Sequence, residues 1–255
     1  MSKGFVVFLF YKSQTNKKPF LANNMGEVRK IEQSYGQPIV EGYIGEYASG
    51  KSENAVNRAL ELLEKGRQVT LADLDIVEPF YTLRPIKKKL EDLGLSVIAW
   101  ETKETFGLGE AGSILHPKMR WVLKRPGDII LDIGYGVEGA KILNLLEGFQ
   151  ENRFLKIFAV INASRPMTAN AKEIIEYVQT LGRVDGLINN THLGEETTAK
   201  VIQEGATIVT EAARELNIPV IATSAEERFR DELGPQDSMG NPIRYLRRFM
   251  PQTFW

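Results

Sequence analysis

The 255-residue sequence has no cysteine, which excludes a disulfide framework, a cysteine-ligated zinc site and a cysteine-held iron–sulfur cluster within it. That suits a reducing cytoplasm, where the chain is expected to act. Histidine is nearly as scarce. His116 and His192 are the only two, and neither has a partner at metal-ligand spacing. Both read as surface or helix-start residues, although His192 could line a nearby binding segment. Surplus charge is missing as well: 32 basic residues stand against 33 acidic ones, a formal net charge of −1. No global field draws such a chain to nucleic acid or anionic lipid, and neither partner is expected. The apolar run Gly4-Phe5-Val6-Val7-Phe8-Leu9-Phe10 is too short to span a bilayer, and no small-residue cleavage site follows it. It reads as a buried strand.

What is present is a rhythm: a short β-branched run, a turn, then an amphipathic helical stretch, repeated. It predicts an α/β fold of three layers, a mostly parallel seven-stranded sheet with helices on both faces. Strands are expected at 38–44, 68–72, 96–100, 128–133, 156–161, 184–189 and 219–223. Helices are expected at 53–64, 85–93, 137–149, 169–181 and 197–216. In the first helix Ala55, Ala59, Leu60, Leu62 and Leu63 form the apolar side, and Glu53, Asn57, Arg58, Glu61 and Glu64 the wet one. Residues 1–37 read as a strand or hairpin extension, 38–227 as the main domain, and 101–115 as a glycine-bearing loop. The tail 228–255 ends in Phe249, Met250, Phe254 and Trp255, too apolar to stay loose, so it is expected to pack on the domain or on a partner.

Gly45-Glu46-Tyr47-Ala48-Ser49-Gly50-Lys51-Ser52 matches G-x-x-x-x-G-K-[ST]. Its glycines let the backbone wrap closely around phosphate oxygens. Successive N–H groups then point at a phosphate, backed by the positive end of the helix that follows. Lys51 can reach the β- and γ-oxygens, and the Ser52 hydroxyl can complete a Mg²⁺ shell; the nucleotide-contacting stretch extends to Glu53. By composition alone such a match arises in roughly one chain of this length in a hundred. The strand before it and the helix after it sharpen the signal.

Such a loop needs carboxylates on neighbouring strand ends. Asp132, followed by Ile133-Gly134-Tyr135-Gly136, has that form and is expected to face Mg²⁺, while Asp128 at the strand's start is expected to stay solvated. Alternation puts Asp73 and Asp75 on one side of the strand after the first helix. Asp75 is the candidate for positioning the attacking water, and Asp73 belongs to the metal environment.

Together, Gly45–Ser52, Ala72-Asp73-Leu74-Asp75, the stretch 128–134 and Gly186-Leu187-Ile188-Asn189-Asn190 resemble the MinD/ParA-like branch of P-loop ATPases, which includes relatives of the nitrogenase iron protein. The resemblance covers about residues 38–225. It implies Mg-ATP binding, slow hydrolysis and nucleotide-dependent homodimerisation. It places Asp75 in a first switch region and Asp132 in a second. Asn189 or Asn190 would read the adenine edge, and the loop Thr223-Ser224-Ala225-Glu226 would flank the base. One position departs from the pattern: the branch carries a lysine after the first glycine, where this chain has Glu46. A carboxylate there cannot neutralise phosphate. Arg84 and Arg165 are candidate replacement cations.

The function this implies is an ATPase switch read by a partner protein. Two alternatives stand beside it. One is a nucleotide-binding regulatory module with little turnover, and the other a P-loop small-molecule kinase or ATP-dependent synthetase.

Overall fold

The computed structural model describes residues 36–75, 83–100 and 117–250. The chain divides into the units Met1–Gly36 and Gln37–Trp255, and everything below concerns the second. Nearly all of the expected N-terminal extension, His116, the whole of the glycine-bearing loop and the last five residues lie outside the described residues.

Eight strands form one sheet, every neighbouring pair parallel. They are β1 (Val40–Gly45), β2 (Val69–Leu74), β3 (Ser96–Ile98), β4 (Asp128–Ile133), β5 (Leu155–Ile161), β6 (Gly186–Asn189), β7 (Val220–Glu226) and β8 (Ile243–Leu246). Their spatial order is β3-β2-β4-β1-β5-β6-β7-β8. The longer helices are α1 (Lys51–Glu64), α2 (Lys87–Asp92), α4 (Gly136–Ile142), α5 (Ala171–Thr180) and α6 (Ala199–Leu216). Single turns α3 (Pro117–Arg120) and α7 (Arg230–Leu233) complete the α-helices among the described residues.

Side-chain parity sorts the sheet into two cores. Ile44, Ala72, Leu74, Leu131, Ile133, Ile157 and Ala159 face one way, where they meet Ile174 and Val178 of α5 and Val209 and Ala212 of α6. Tyr43, Leu71, Ile130, Phe158, Val160 and Ile188 face the other, under Ala55, Val56, Ala59 and Leu60 of α1 and Leu90 of α2. Helices therefore cover both faces, as a parallel sheet requires. No helix among the described residues is long and apolar enough to cross a membrane.

Two differences from expectation concern strand ends. The tail supplies an eighth strand, β8, which pairs with residues 223–226. In consequence β7 runs to Glu226, and Thr223-Ser224-Ala225-Glu226 is strand rather than a loop. The third difference is Asp128, which is buried rather than solvated. It accepts the Ile39 N–H at 2.9 Å and pairs with the Arg67 guanidinium, fixing the start of β4 against β1 and β2.

Candidate functional site

β1 delivers the chain to a tight curl. A Cβ on Gly45 would lie 2.4 Å from Ser49 Oγ and 2.5 Å from the Val160 carbonyl, so no larger residue fits there. Ala48 (φ 57°) and Gly50 (φ 85°) both adopt the left-handed region, turning the backbone so that the Ser49 N–H donates to the Glu46 carbonyl at 3.1 Å. Gly50 caps α1 without contributing any side-chain acceptor. The helix's first N–H groups thus lack the side-chain cap that ordinarily satisfies them, which fits an anion at this end.

Two contacts brace the curl from behind. The Asn190 amide, at the end of β6, donates to the Ser49 carbonyl at 2.7 Å. Asn54 of α1 donates to the Gly50 carbonyl at 3.0 Å and accepts from the Ser224 hydroxyl at 2.6 Å. Asn54 was missed in the sequence. Its signal was a lone amide directly before Ala55 and Val56 on the buried side of α1.

Parity brings the expected acids together. In register, Asp73 on β2 lies beside Asp132 on β4, both on the α1 side of the sheet. Asp75 follows one residue after β2 and donates its N–H to Asp73 Oδ1 at 3.1 Å. Lys51, the first residue of α1, holds its ammonium 3.3 Å from Asp75 Oδ2. All four side chains are buried. Asp132 is fully enclosed, and neither of its oxygens has a hydrogen-bond partner. Burial foremost, with the Asp73 and Asp75 charges, pushes its carboxyl up to about 8, against Lys51 and the Ser52 hydroxyl.

Ser52, Asp73 and Asp132 are hard oxygen donors of the kind Mg²⁺ takes, and the unpartnered Asp132 oxygens fit such an ion. Among the described residues no trio of His, Cys, Asp or Glu could hold a metal unaided, so the rest of the shell would come from phosphate and water.

Glu46 is turned back on its own loop: its carboxylate accepts the Tyr47 N–H at 3.0 Å. Its charge also reaches Tyr177 of α5, whose hydroxyl is raised chiefly by burial and then by Glu46. The Tyr47 ring meets Tyr135 edge-on, centroids 6.1 Å apart, joining the loop to the turn after β4.

Several expected nucleotide contacts are committed elsewhere. Asn189 is fully buried: its amide donates to the Ile202 carbonyl and Thr223 Oγ1, and its oxygen accepts from the Thr191 N–H and hydroxyl. Thr223 in turn donates to Asp237 at 2.6 Å. Ser224 is spent on Asn54. Glu53 looks away from the curl and accepts the N–H groups of Phe249 (2.6 Å) and Met250 (3.1 Å) in the tail.

His192, in the turn after β6, is lowered to about 4 by burial and by Arg165 and Arg248, and its Nδ1 accepts the Gly194 N–H. Arg165 occupies the turn after β5, and Arg84 opens the turn before α2.

No protein-family model and no curated protein matches the sequence. Solved structures do match in fold. The chain is 15% identical to the signal recognition particle receptor FtsY from Elizabethkingia anophelis, with TM-score 0.52, covering 83% of this chain and 69% of that one. The same receptor in complex with GDP gives 14% identity and TM-score 0.53 over the same shares. The cell division protein FtsY from Thermotoga maritima is 18% identical, at TM-score 0.49, over 75% of this chain. This chain spans 63% of the length of the Thermotoga protein. At these identities the likeness shows the fold, that of the P-loop NTPases. It does not single out the MinD/ParA-like branch.

Proposed function

We propose that this chain binds Mg-ATP in the curl between Gly45 and Ser52, hydrolyses it slowly, and acts as a nucleotide-dependent switch on a partner protein. The observation that carries this is the set around Lys51: one buried ammonium, three acids on adjacent strand ends, and two Asp132 oxygens with nothing bonded to them. In a structural cluster those oxygens would be satisfied.

The chemistry follows from the arrangement. Backbone N–H groups of the curl and of the first turn of α1 grip the β-phosphate. Lys51 exchanges Asp75 for phosphate oxygens, which releases the Asp75 carboxylate to orient a water. Mg²⁺, held by Ser52 and Asp132 with Asp73 behind them, would neutralise charge on the transferring phosphoryl group. Glu46 adds no positive charge, so turnover is slow.

ATP is favoured over GTP by the turn after β6. Guanine offers a donor pair that calls for an ionised acceptor. Residues 190–194 contain no carboxylate, and the first one beyond them, Glu195, is paired with Arg248. The GDP bound to the Elizabethkingia receptor makes GTP the competing reading. As in the MinD/ParA-like branch, the ATP-bound form would pair with a second copy.

Phosphate release tests the chemistry. Asp75→Ala should bind Mg-ATP and lose turnover, and normal hydrolysis by that variant removes Asp75 from its role. Light scattering with a non-hydrolysable ATP analogue tests the dimer.

A further inference from the structure

Glu53 and Asn57 stand one turn apart on α1, and both are taken up by the same stretch of tail. The Asn57 amide donates to the Arg247 carbonyl at 2.8 Å and its oxygen accepts the Arg247 N–H at 2.9 Å, so one side chain pairs with a backbone as a neighbouring strand would. The Asn57 amide also donates to the Glu53 carbonyl at 2.9 Å. Four residues earlier along the helix, the Glu53 carboxylate receives the backbone amides of Phe249 and Met250.

The same segment touches two further elements. The Arg248 guanidinium pairs with Glu195 in the turn after β6. The Phe249 ring has the Lys89 ammonium of α2 at 5.0 Å and the Arg247 guanidinium at 5.9 Å. Phe249 and Met250 pack against the core on the α1 side of the sheet.

We infer that residues 247–250 form a strap whose hold on α1 is coupled to nucleotide occupancy, docking more firmly when the phosphate site is filled. This rests on the P-loop reading above and adds a second, distant consequence to it. The physical link is short. Lys51 and Ser52 lead straight into Glu53, and all three belong to a first turn that lacks a side-chain cap. Phosphate bound to that turn orders it, which fixes the carboxylate that the tail amides need. Since coupling between two sites is reciprocal, the docked strap must in turn favour nucleotide. Its contacts with the turn after β6 and with α2 place it across elements on either side of the candidate site.

The test uses the full chain and hydrogen exchange of the 247–250 amides, with and without Mg-ATP, alongside equilibrium binding. Asn57→Ala removes the Arg247 pairing and replaces asparagine by a better helix former, so α1 is retained. Arg248→Ala loosens the strap from the other side without altering α1. Slower exchange on adding Mg-ATP, together with Mg-ATP affinity about five-fold weaker in both variants, supports the coupling. Mg-ATP binding that leaves the exchange of these amides unchanged, or variants with wild-type affinity, overturns the strap and leaves the P-loop reading standing. A chain that binds no nucleotide overturns both.

Discussion

The Lys51 ammonium lies 3.3 Å from Asp75, in the place where a phosphate oxygen would compete for it. The pair is buried on both sides, so removing one member leaves an uncompensated charge among carboxylates. Lys51→Met should destabilise the nucleotide-free protein by about 3 kcal/mol, and adding Asp75→Asn should restore part of it. Urea denaturation of the two variants measures this. Equal stability of Lys51→Met and wild type would show that the pair is not formed in solution.

Gly50 is constrained twice. Its φ of 85° disfavours any other residue, and a Cβ would come within 2.1 Å of Asn190 Nδ2. Gly50→Ala should cost about 2 kcal/mol and displace the Asn190–Ser49 bond. In Asn190→Ala, where the collision is absent, the same change should cost less but not become neutral. A double-mutant cycle in thermal denaturation separates the two terms.

Asp132 sets a pH dependence. Its carboxyl is raised from 3.8 to about 8 in the folded protein. The neutral form is favoured by folding, so this contribution is full below pH 3.8 and is lost as pH rises through about 8. The apo protein should weaken across that window relative to Asp132→Asn, with a limiting slope of about 1.4 kcal/mol per pH unit from this group. Melting temperatures of both proteins between pH 5 and 8.5 provide the comparison, and parallel profiles would remove Asp132 as the cause.

Asn189 and Asn190 should separate cleanly. Asn189→Ala breaks a buried network of four hydrogen bonds and should cost about 2–3 kcal/mol while leaving the ATP-to-GTP preference intact. Asn190→Ala frees the Ser49 carbonyl and should weaken both nucleotides about ten-fold, a loss of about 1.4 kcal/mol. Competition binding distinguishes these outcomes. A change of base preference in Asn189→Ala would contradict its placement.

Much of this was legible in the sequence for a local reason. The bounds of β4 coincide with the expected 128–133, because a short apolar run closed by acids at both ends fits one strand length. The curl follows from glycine chemistry over eight residues. The role of Asn189 was decided by parity. Leu187 faces α5 and α6, Ile188 faces α1, so Asn189 faces away from the curl and Asn190 toward it. That alternation was readable, but the resemblance drew both residues to the base. The pairing of the tail as a strand was not readable. β8 contains only four residues, Ile-Arg-Tyr-Leu, and depends on an edge of β7 that lies 20 residues earlier at Thr223↔Ile243. Nothing near Glu53 announces that its partners are the backbone amides of residues 249 and 250.

The most direct measurement is isothermal titration of Mg-ATP into the full chain and into Lys51→Ala. The account predicts one site per chain in the wild type, weaker affinity for Mg-GTP, and no detectable heat in the variant. Equal binding by both proteins, or none by the wild type, would contradict it.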